Sequence, residues 1–600
     1  MPFRRLEPHR HDAPAALPLI ACVAGLLLGP LLTDPVPSAA GLVFSAMLAA
    51  RFSSRGVVAL LFLAAGLLIG ARQRSIRTDE AIAFHRADPE RFVEVEAPVI
   101  GVWSRRGSAF FLKADSFTAA GYRFRSPLLL YLGQEPPEPG LASVIRFQGF
   151  LRQNDRGQFT ASIKSPRLIE YADPLPWWHP QRWNRELAGR IAPLAKEHPE
   201  AVAIVEAVAL GRTGRLSDAT RESFRRGGTY HLLVFSGLQI SAAAAGIALL
   251  LRLLGLQRGS DWFLLLFAVL APPFIGGSAS VSRAAVAVAA YALSRLLHRP
   301  TSLENLWCLA ALIRLIAVPD DLREPGFQLT YGGAAALLFV ARPVENRFAR
   351  YVAAGAAAEM MVTPITLFHF HQFALGGSVL TFLLAPVIFT ILLLSVPLFM
   401  FPCETTLMPI EILHRFCGAA NAAGSPFSGF YTAPSPGAGI AAFGAVLASI
   451  AVFSSRRRAI SITLGLAIPA FDAIIRAHTL SFTDPQLVML DVGQGDAILL
   501  RNGHRSVLID GGGRPDHPRF GESTLLPLLV DRGVLQLDAA ILTHADPDHC
   551  GGLPAVLQHL RTRELWVSPH GLRGACAAEL LHVALERGVQ IRSARRGQML

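Results

Sequence analysis

The chain has 600 residues, of which 52% are hydrophobic and 17% are charged, with a mean hydropathy of +0.39. Soluble domains carry about 25% charged residues, so this composition, with its apolar residues gathered into long runs, excludes a wholly soluble protein. The net charge of +12 comes mainly from arginine. Arginine suits phosphate groups but is also abundant in loops beside a membrane, and we favour the membrane explanation for any single arginine.

Residues 1–75 are predicted to form N-terminal transmembrane helices. A basic start precedes apolar runs at 17–32, 41–50 and 57–70. No small-residue cleavage site closes the first run, which argues against a signal peptide. The other two runs are short for a helix that crosses a bilayer alone, so neighbouring helices are expected to shield them.

Between residues 88 and 175 the pattern changes to short strands, rich in β-branched and aromatic residues and separated by turn clusters. They are typical of a small barrel of the OB type, although a small β-sandwich fits the same pattern. Arginines beside aromatic rings suit single-stranded nucleic acid, and the predicted contacts are Arg105, Arg106, Arg125 and Arg152. Most of the phenylalanines are expected to be core. The predicted strands lie at 92–102, 109–117, 127–132, 143–151 and 158–169.

Two helical regions follow the strands. Residues 178–226 place Arg and Glu among aliphatic residues with a period of about 3.6, which predicts an amphipathic helical linker on the membrane face. Residues 229–478 are dominated by apolar runs and are predicted to form a transmembrane channel domain of about nine spans. The runs lie at 232–253, 262–275, 284–297, 306–318, 329–340, 353–368, 379–401, 440–453 and 460–475.

The arginines also predict an orientation, because cytoplasmic loops are enriched in Lys and Arg. The basic start and the cluster at 456–458 are placed in the cytoplasm. The strand-rich domain and everything after residue 477 then lie on the extracytoplasmic side. Arg72, Arg74 and Arg77 fall on the side opposite to the one this rule prefers.

The 6 cysteines form no Cys-x-x-Cys pair, and several lie in apolar runs. Neither a disulfide framework nor a thiolate zinc site is therefore expected, and the cysteines are predicted to be small buried hydrophobes. They are Cys22, Cys308, Cys403, Cys417, Cys550 and Cys576.

The residues that carry chemistry lie in 485–600. An apolar strand at 539–542 runs into a turn containing His544, Asp546, Asp548 and His549. Imidazoles and carboxylates at the end of a strand are ligands of first-row divalent ions, so these four are the predicted metal ligands. The alternative is a polar surface loop that contains His and Asp by chance.

One of these ligands has a second predicted role, and two further carboxylates are predicted to support the site. Asp548 is also the predicted catalytic residue. Asp510 ends a neighbouring strand, and Asp496 lies in the glycine-rich loop that follows the strand at 486–490. Both are predicted to orient a metal ligand from behind it.

Polar residues in the apolar region are weaker candidates. His369 and His371 are interpreted first as packed or interfacial histidines, although ionisable groups in such runs are often functional. Arg283 begins a predicted span, where contact with a phosphate, snorkelling and helix capping are equally good explanations.

Several stretches, in their order along the chain, resemble the ComEC family of competence proteins. The run 228–239 is similar to the start of the family's membrane domain, with Gln239 where a His is usual. Ser282-Arg283-Ala284 and the run 325–331 also fit, with Thr330 for the usual Ser. The runs 491–497 and 544–549 resemble the family's metallo-β-lactamase domain, in which Asp replaces the second His.

The resemblance implies a polytopic α-helical membrane protein of the inner (cytoplasmic) membrane, with an OB-like small β-barrel domain and a C-terminal metallo-β-lactamase-type α/β domain. One strand of incoming DNA would cross as single-stranded DNA while the other is degraded outside by a nuclease that uses one or two divalent ions, Zn or Mn. Membrane lipid, a DNA receptor and a cytoplasmic motor are the implied partners, since no nucleotide-binding loop is visible. The oligomeric state is left open.

Two rival functions and one departure accompany this interpretation. The rivals are a membrane-anchored metallo-hydrolase with a non-DNA substrate, and a channel whose metal domain is inert. A metallo-β-lactamase fold takes later ligands from a second half, so the domain in 485–600 is expected to be incomplete, with further ligands beyond residue 600.

Overall fold

A computed structural model describes residues 16–28, 54–86, 93–98, 103–432 and 485–594. Two of the predicted apolar runs, at 440–453 and 460–475, lie outside the described residues, as do the run at 41–50 and the basic cluster at 456–458. Short gaps within the longer ranges fall at 107–108, 115, 127, 137–141, 154–158, 236, 257–258, 277–278, 300–301, 342–345, 375, 429, 493–494, 504, 514–519 and 569–574.

Nine strands after the N-terminal helices form one sheet in the order β2-β3-β6-β8-β7-β1-β4-β5, with β9 on β7. Neighbours are antiparallel except β6 and β8, which are parallel. β1 pairs with both β4 and β7, and β2 and β5 lie at the two ends of the order. The strands are β1 Val93–Pro98, β2 Ser104–Arg106, β3 Ala109–Ala114, β4 Phe117–Ala119, β5 Tyr122–Phe124, β6 Leu128–Leu132, β7 Ala142–Gln153, β8 Phe159–Ile163 and β9 Ile169–Pro174.

The interior of this sheet is filled by alternate residues of its strands. Val93, Val95 and Ala97 of β1 point inward while the residues between them are exposed. The rings of Phe117 and Phe124 stack with centroids 4.5 Å apart. Together with the other buried phenylalanines of the cluster, they confirm that most of these rings are core.

A buried carboxylate joins the long second helix to the strands. Helix α2, Ser54–Arg86, follows α1, Ala16–Leu28. Glu80 of α2 is 7% exposed and accepts the backbone N–H groups of Arg125 and Ser126, at 2.5 and 3.1 Å, and the Ser126 hydroxyl at 2.5 Å. The turn before β6 is thereby fixed to the helix.

Twelve helices follow the strands within the described residues, and most of the predicted apolar runs fall inside them. Gly377–Met400, with a mean hydropathy of 2.7, is the one described helix whose length and composition would let it cross a membrane. The helices are α3 Pro180–Ile191, α4 Pro199–Leu210, α5 Asp218–Arg226, α6 Tyr230–Leu233, α7 Gly237–Leu253, α8 Ser260–Ile275, α9 Ala279–Leu296, α10 Leu303–Ala317, α11 Pro325–Ala335, α12 Arg347–Phe370, α13 Gly377–Met400 and α14 Glu404–Ser428.

The central helix of the predicted linker at 178–226 differs from an amphipathic surface helix. Nearly every residue of α4 is buried, and the helix packs with α13 and α14 in one hydrophobic cluster. A helix that is apolar on all sides belongs in a core rather than on a membrane surface. Helix α14 was not predicted, because polar residues such as Asn421 interrupt its apolar pattern.

Two short strands in the helical region, β10 Gln372–Ala374 and β11 Phe430–Thr432, pair with each other. The C-terminal region forms a six-stranded sheet in the order β12-β13-β14-β15-β16-β17, antiparallel as far as β14 and parallel from there. Helices α15 to α18 bury one face, where Leu499, Leu508 and Leu565 are fully buried. On edge strand β12, Leu487 and Met489 are 67% and 62% exposed. The elements are β12 Gln486–Met489, β13 Ile498–Asn502, β14 Arg505–Ile509, α15 Leu526–Asp531, β15 Gln536–Leu542, α16 Pro547–Cys550, α17 Leu553–His559, β16 Arg561–Val567, α18 Ala575–Glu586 and β17 Gln590–Ser593.

Candidate metal centre

The candidate metal centre lies where two parallel strands end together. Strand β14 pairs with β15 so that Ile509 is opposite Ile541. The next residues, Asp510 after β14 and Thr543 after β15, therefore emerge at the same edge of the sheet. Carboxyl ends of parallel strands are the usual position for ligand sites in α/β sheets.

Asp510 organises this edge. Its side chain is 5% exposed and its backbone has a φ of 56°, a left-handed conformation that Asp tolerates better than most residues. One carboxylate oxygen accepts the N–H of Thr543 at 2.8 Å. The other accepts the Thr543 hydroxyl at 2.6 Å and lies 3.0 Å from Nδ1 of His549. With Nδ1 donating to Asp510, Nε2 of His549 is the nitrogen left to bind a ligand.

The two predicted histidine ligands are brought together. The ring centroids of His544 and His549 are 3.9 Å apart. Ligand atoms of Asp510, His544 and His549 all lie within 4.8 Å of one another. Nδ1 of His544 is 2.9 Å from the Thr543 hydroxyl, so this hydroxyl contacts both Asp510 and His544. Thr543 was not singled out from the sequence, where its only signal is its place between the strand and the first histidine.

The other predicted site residues are more peripheral. Asp546 has a side chain that is 73% exposed, with an oxygen 3.6 Å from Nε2 of His544. Asp548 is half-buried, and its carboxylate has no hydrogen-bond partner among the described residues. Asp496 is exposed, and its backbone carbonyl, rather than its side chain, contacts the site region by accepting the N–H of Gly512 at 2.8 Å.

Glycines allow the loops around the turn to approach each other closely. Gly495 has a φ of 83°, and a side chain there would overlap the backbone oxygen of Asp548. Gly513 has a φ of 148°, and a side chain there would overlap the backbone oxygen of Pro547. The glycine-rich loops after β12 and β14 therefore hold the metal turn through direct backbone packing.

The donor set fits a divalent ion. Imidazoles and carboxylates are ligands that Zn and Mn accept, and His544, His549 and Asp510 supply them here. A carboxylate that accepts a hydrogen bond from a ligating histidine, as Asp510 does from His549, is the usual support of such a ligand. A second group with ligand atoms within 4.8 Å of one another consists of Glu197, His198 and Glu404 in the helical region. Glu404 is far in sequence from the adjacent Glu197 and His198, so no local pattern could have indicated the group.

The predicted nucleic-acid contacts are described only in part. Arg125 and Arg152 are exposed on the strand-rich domain. Arg105 and Arg106 lie in β2, and the description of that strand does not extend to their side chains. Arg146 of β7 is engaged instead by Glu96, whose Oε2 lies 3.0 Å from Nε and raises the pKa of the guanidinium.

The structure corrects the expectation that the cysteines form no disulfide. Cys550 and Cys576 are bonded, with Cα atoms 6.2 Å apart and a sequence separation of 26. Cys550 directly follows His549, so the bond ties the metal turn to α18. Cys22, Cys308 and Cys417 are buried as predicted, whereas Cys403 is exposed.

Known proteins match the helical and C-terminal regions. A family model described as Competence protein matches residues 208–457, and one described as Metallo-beta-lactamase superfamily matches residues 490–575. The chain is 28% identical over 435 residues to the ComE operon protein 3 of Bacillus subtilis, covering 67% of this chain and 55% of that protein. It is 25% identical to the Recombination protein 2 of Haemophilus influenzae and 24% identical to the Competence protein ComA of Neisseria gonorrhoeae. Each of these two matches covers 60% of this chain and 52% of the relative.

The fold and these matches define a class: a competence-protein domain followed by a metallo-β-lactamase superfamily domain. The chain spans about half the length of the curated relatives that it matches. In its two domains and its relatives, the chain is similar to the ComEC family of competence proteins.

The support that Asp510 gives to His549 predicts an effect on metal affinity. Asp510→Asn keeps the size of the side chain and the left-handed backbone but removes the charge, so we expect affinity for Zn or Mn to fall about 10- to 100-fold. Equilibrium dialysis of the purified protein measures this. The control is Asp538→Asn. Asp538 lies away from the site, where its carboxylate accepts the N–H of Ser506 at 2.9 Å. Equal affinities in the two variants would contradict this role.

Close loop packing predicts that Gly495→Ala disturbs the turn more than Gly503→Ala. Both glycines have a positive φ, so alanine costs about 1–2 kcal/mol at either position. Only at Gly495 would the added methyl group meet backbone, whereas nothing lies within 4 Å at Gly503. Gly495→Ala should therefore show the lower melting temperature and the lower metal content. The same loss in both variants would show that the loop does not hold the turn.

The disulfide should stabilise the C-terminal domain. Since it closes a loop with a sequence separation of 26, Cys576→Ser is expected to lower the free energy of unfolding by about 3 kcal/mol. Thermal unfolding with and without reductant measures the loss. Maleimide labelling of free thiols tests the bond directly. Exposed Cys403 is the internal control and should react with and without reductant, because hydrogen bonds to Thr405 and Thr406 lower the pKa of its thiol to about 7. Labelling of Cys550 without reductant would refute the bond.

Proposed function

We propose that the protein is an inner-membrane channel that takes up single-stranded DNA during natural transformation, and that its metallo-β-lactamase-type domain degrades the strand that is not transported. The observation that carries this proposal is the match of the competence-protein model to residues 208–457, which contain the apolar helices. The names of the relatives, which refer to competence and recombination, support the same process.

The physics of DNA transfer favours a helical channel. A polyanion cannot enter hydrocarbon, so it needs a path lined by protein and water. Helix α13 is long enough to cross a bilayer, and shorter apolar helices include Gln239–Leu251 and Ser260–Ile275. Short helices serve in a multi-pass bundle when neighbouring helices shield their ends. We therefore assign the helical region to the channel.

The strand-rich domain is proposed to be an OB-like barrel that contacts the incoming strand. A parallel pair, β6 and β8, within an otherwise antiparallel set of paired strands supports this topology. Because most phenylalanines are buried, they do not offer stacking faces for bases, and the arginines are the proposed contacts. They are the exposed Arg125 and Arg152, together with Arg105 and Arg106. They would attract the phosphate backbone without reading its sequence.

The metal domain is proposed to act on the extracytoplasmic side. His544, His549, Asp546 and Asp548 would hold one or two ions, Zn or Mn, with Asp510 orienting His549. Such an ion activates water and neutralises a departing phosphate oxygen. A disulfide beside the site supports this location, because disulfides persist in oxidising compartments. A DNA receptor, a cytoplasmic motor and membrane lipid complete the proposed set of partners.

The nuclease assignment is tested with an Asp548→Ala, His549→Ala double variant of the full-length protein. Loss of two ligands should reduce degradation of the second strand at least about 100-fold, while entry of a supplied single strand persists. Release of acid-soluble label outside the cell and labelled strand inside it report the two activities. Asp538→Ala is the matched control.

Two results would change the assignment. Unchanged degradation by the double variant would support an inert metal domain. The exposure of Asp546, where relatives of the wider superfamily carry a histidine, is the observation that favours this second candidate. Absence of labelled DNA uptake by the unmodified protein would favour a membrane-anchored hydrolase with another substrate.

A further inference from the structure

Two sequence motifs of the competence domain meet inside the helical region. Arg283 of α9 donates through Nη2 to the hydroxyl of Thr330 in α11, at 3.1 Å. That hydroxyl in turn donates to the backbone oxygen of Gly326 at 2.7 Å. The guanidinium lies against the first turn of α11, since a Cβ added to Gly326 would be 3.3 Å from Nη2.

The polar groups at this junction are buried without being satisfied. Arg283 is 4% exposed and Tyr331 is 8% exposed. Within the part of the chain that the structure describes, neither Nε of Arg283 nor the hydroxyl of Tyr331 has a hydrogen-bond partner. Leaving a buried donor unpaired costs on the order of 1–3 kcal/mol, and more for a charged group. Two such groups together therefore indicate a missing acceptor.

The charges point in the same direction. The buried carboxylate near Arg283 is Asp321, which is already bound by Arg314 through contacts of 2.5 and 3.3 Å. The other acidic neighbour of Arg283 is Glu324, which is exposed. Arg314 therefore occupies the buried carboxylate, and Arg283 interacts with Asp321 only at longer range, beside the positive end of the α11 dipole.

We propose that Arg283 and Tyr331 form an anion-binding site at the start of α11, which takes a phosphate of the DNA strand in transit. The proposal rests on the channel function proposed above. A phosphodiester oxygen accepts from Nε of the guanidinium and from the Tyr331 hydroxyl, and its charge compensates the buried guanidinium of Arg283. Arginine suits this role because its planar fork matches phosphate geometry, which an ammonium group does not.

The test uses the full-length protein in lipid nanodiscs and a fluorescent single-stranded oligodeoxynucleotide as the probe. Arg283→Gln should weaken binding about tenfold and lower the slope of log affinity against log salt by about 0.7, the value for one phosphate contact on single-stranded nucleic acid. Arg283→Lys should recover only part of the affinity. The matched control is Arg295→Gln on the same helix, where Nε lies 2.8 Å from Asp261. This control should change the affinity less than twofold.

Tyr331→Phe keeps the proposal testable if Arg283→Gln does not fold. Removal of a hydroxyl without a partner should leave the melting temperature unchanged or raise it. An anion site nevertheless predicts weaker oligonucleotide binding and slower uptake in this variant. Unchanged binding and uptake in a folded Tyr331→Phe protein would overturn the site.

The remaining outcomes separate this inference from the channel proposal. No binding or uptake of DNA by the unmodified protein overturns both. Normal activity of the unmodified protein, with the same affinity and salt slope in Arg283→Gln, overturns the site alone. If Arg283→Gln changes retention of phosphatidylglycerol while oligonucleotide affinity is unaltered, the phosphate belongs to a lipid headgroup and the assignment to DNA is wrong.

Discussion

The structure depends on the compensation of ionisable groups buried in apolar surroundings, since an unpaired buried charge costs on the order of several kcal/mol. Asp510 meets this demand with two donors of Thr543 and one of His549, and this fixes the strand ends and the metal turn relative to each other. Glu80 meets it by accepting three hydrogen bonds from the turn before β6, which joins the long N-terminal helix to the strands. In both places a single carboxylate connects elements that are distant in sequence.

The same kind of contact joins the two family domains. Nη2 of Arg225, in α5, lies 2.6 Å from a carboxylate oxygen of Glu522 beside α15. Nδ1 of His371 lies 3.4 Å from Oδ1 of Asp531. Burial of the imidazole lowers its pKa, and the charge of Asp531 opposes that change. The histidine is therefore largely neutral near pH 7, and the Arg225–Glu522 pair is the charged contact. Since Glu522 precedes α15 and Asp531 is its last residue, both contacts hold the helix that covers the sheet of the metal domain.

Local patterns predicted local features well. The strands predicted at 486–490 and 539–542 are observed at Gln486–Met489 and Gln536–Leu542, so the metal turn follows its strand as predicted. The burial of a helix depends on the elements that pack against it, and a local sequence pattern does not contain that information. The all-apolar helix Pro199–Leu210 was averaged with its charged flanks into an amphipathic segment, and Glu404–Ser428 was missed because its polar residues break the run. The bond between Cys550 and Cys576 depends on a contact across the fold, which cysteine spacing does not encode.

The contrast between compensated and uncompensated charge has a functional meaning. Arg314 is paired on both nitrogens that face Asp321, so it has little capacity left for a ligand. Arg283 is held by one hydroxyl and retains an unpaired Nε, so it can accept an anion without first losing a partner. A passage for a polyanion requires binding that is strong enough for entry and weak enough for release. One partly satisfied guanidinium beside a neutral hydroxyl meets that requirement better than a cluster of free arginines, which would hold the strand in place.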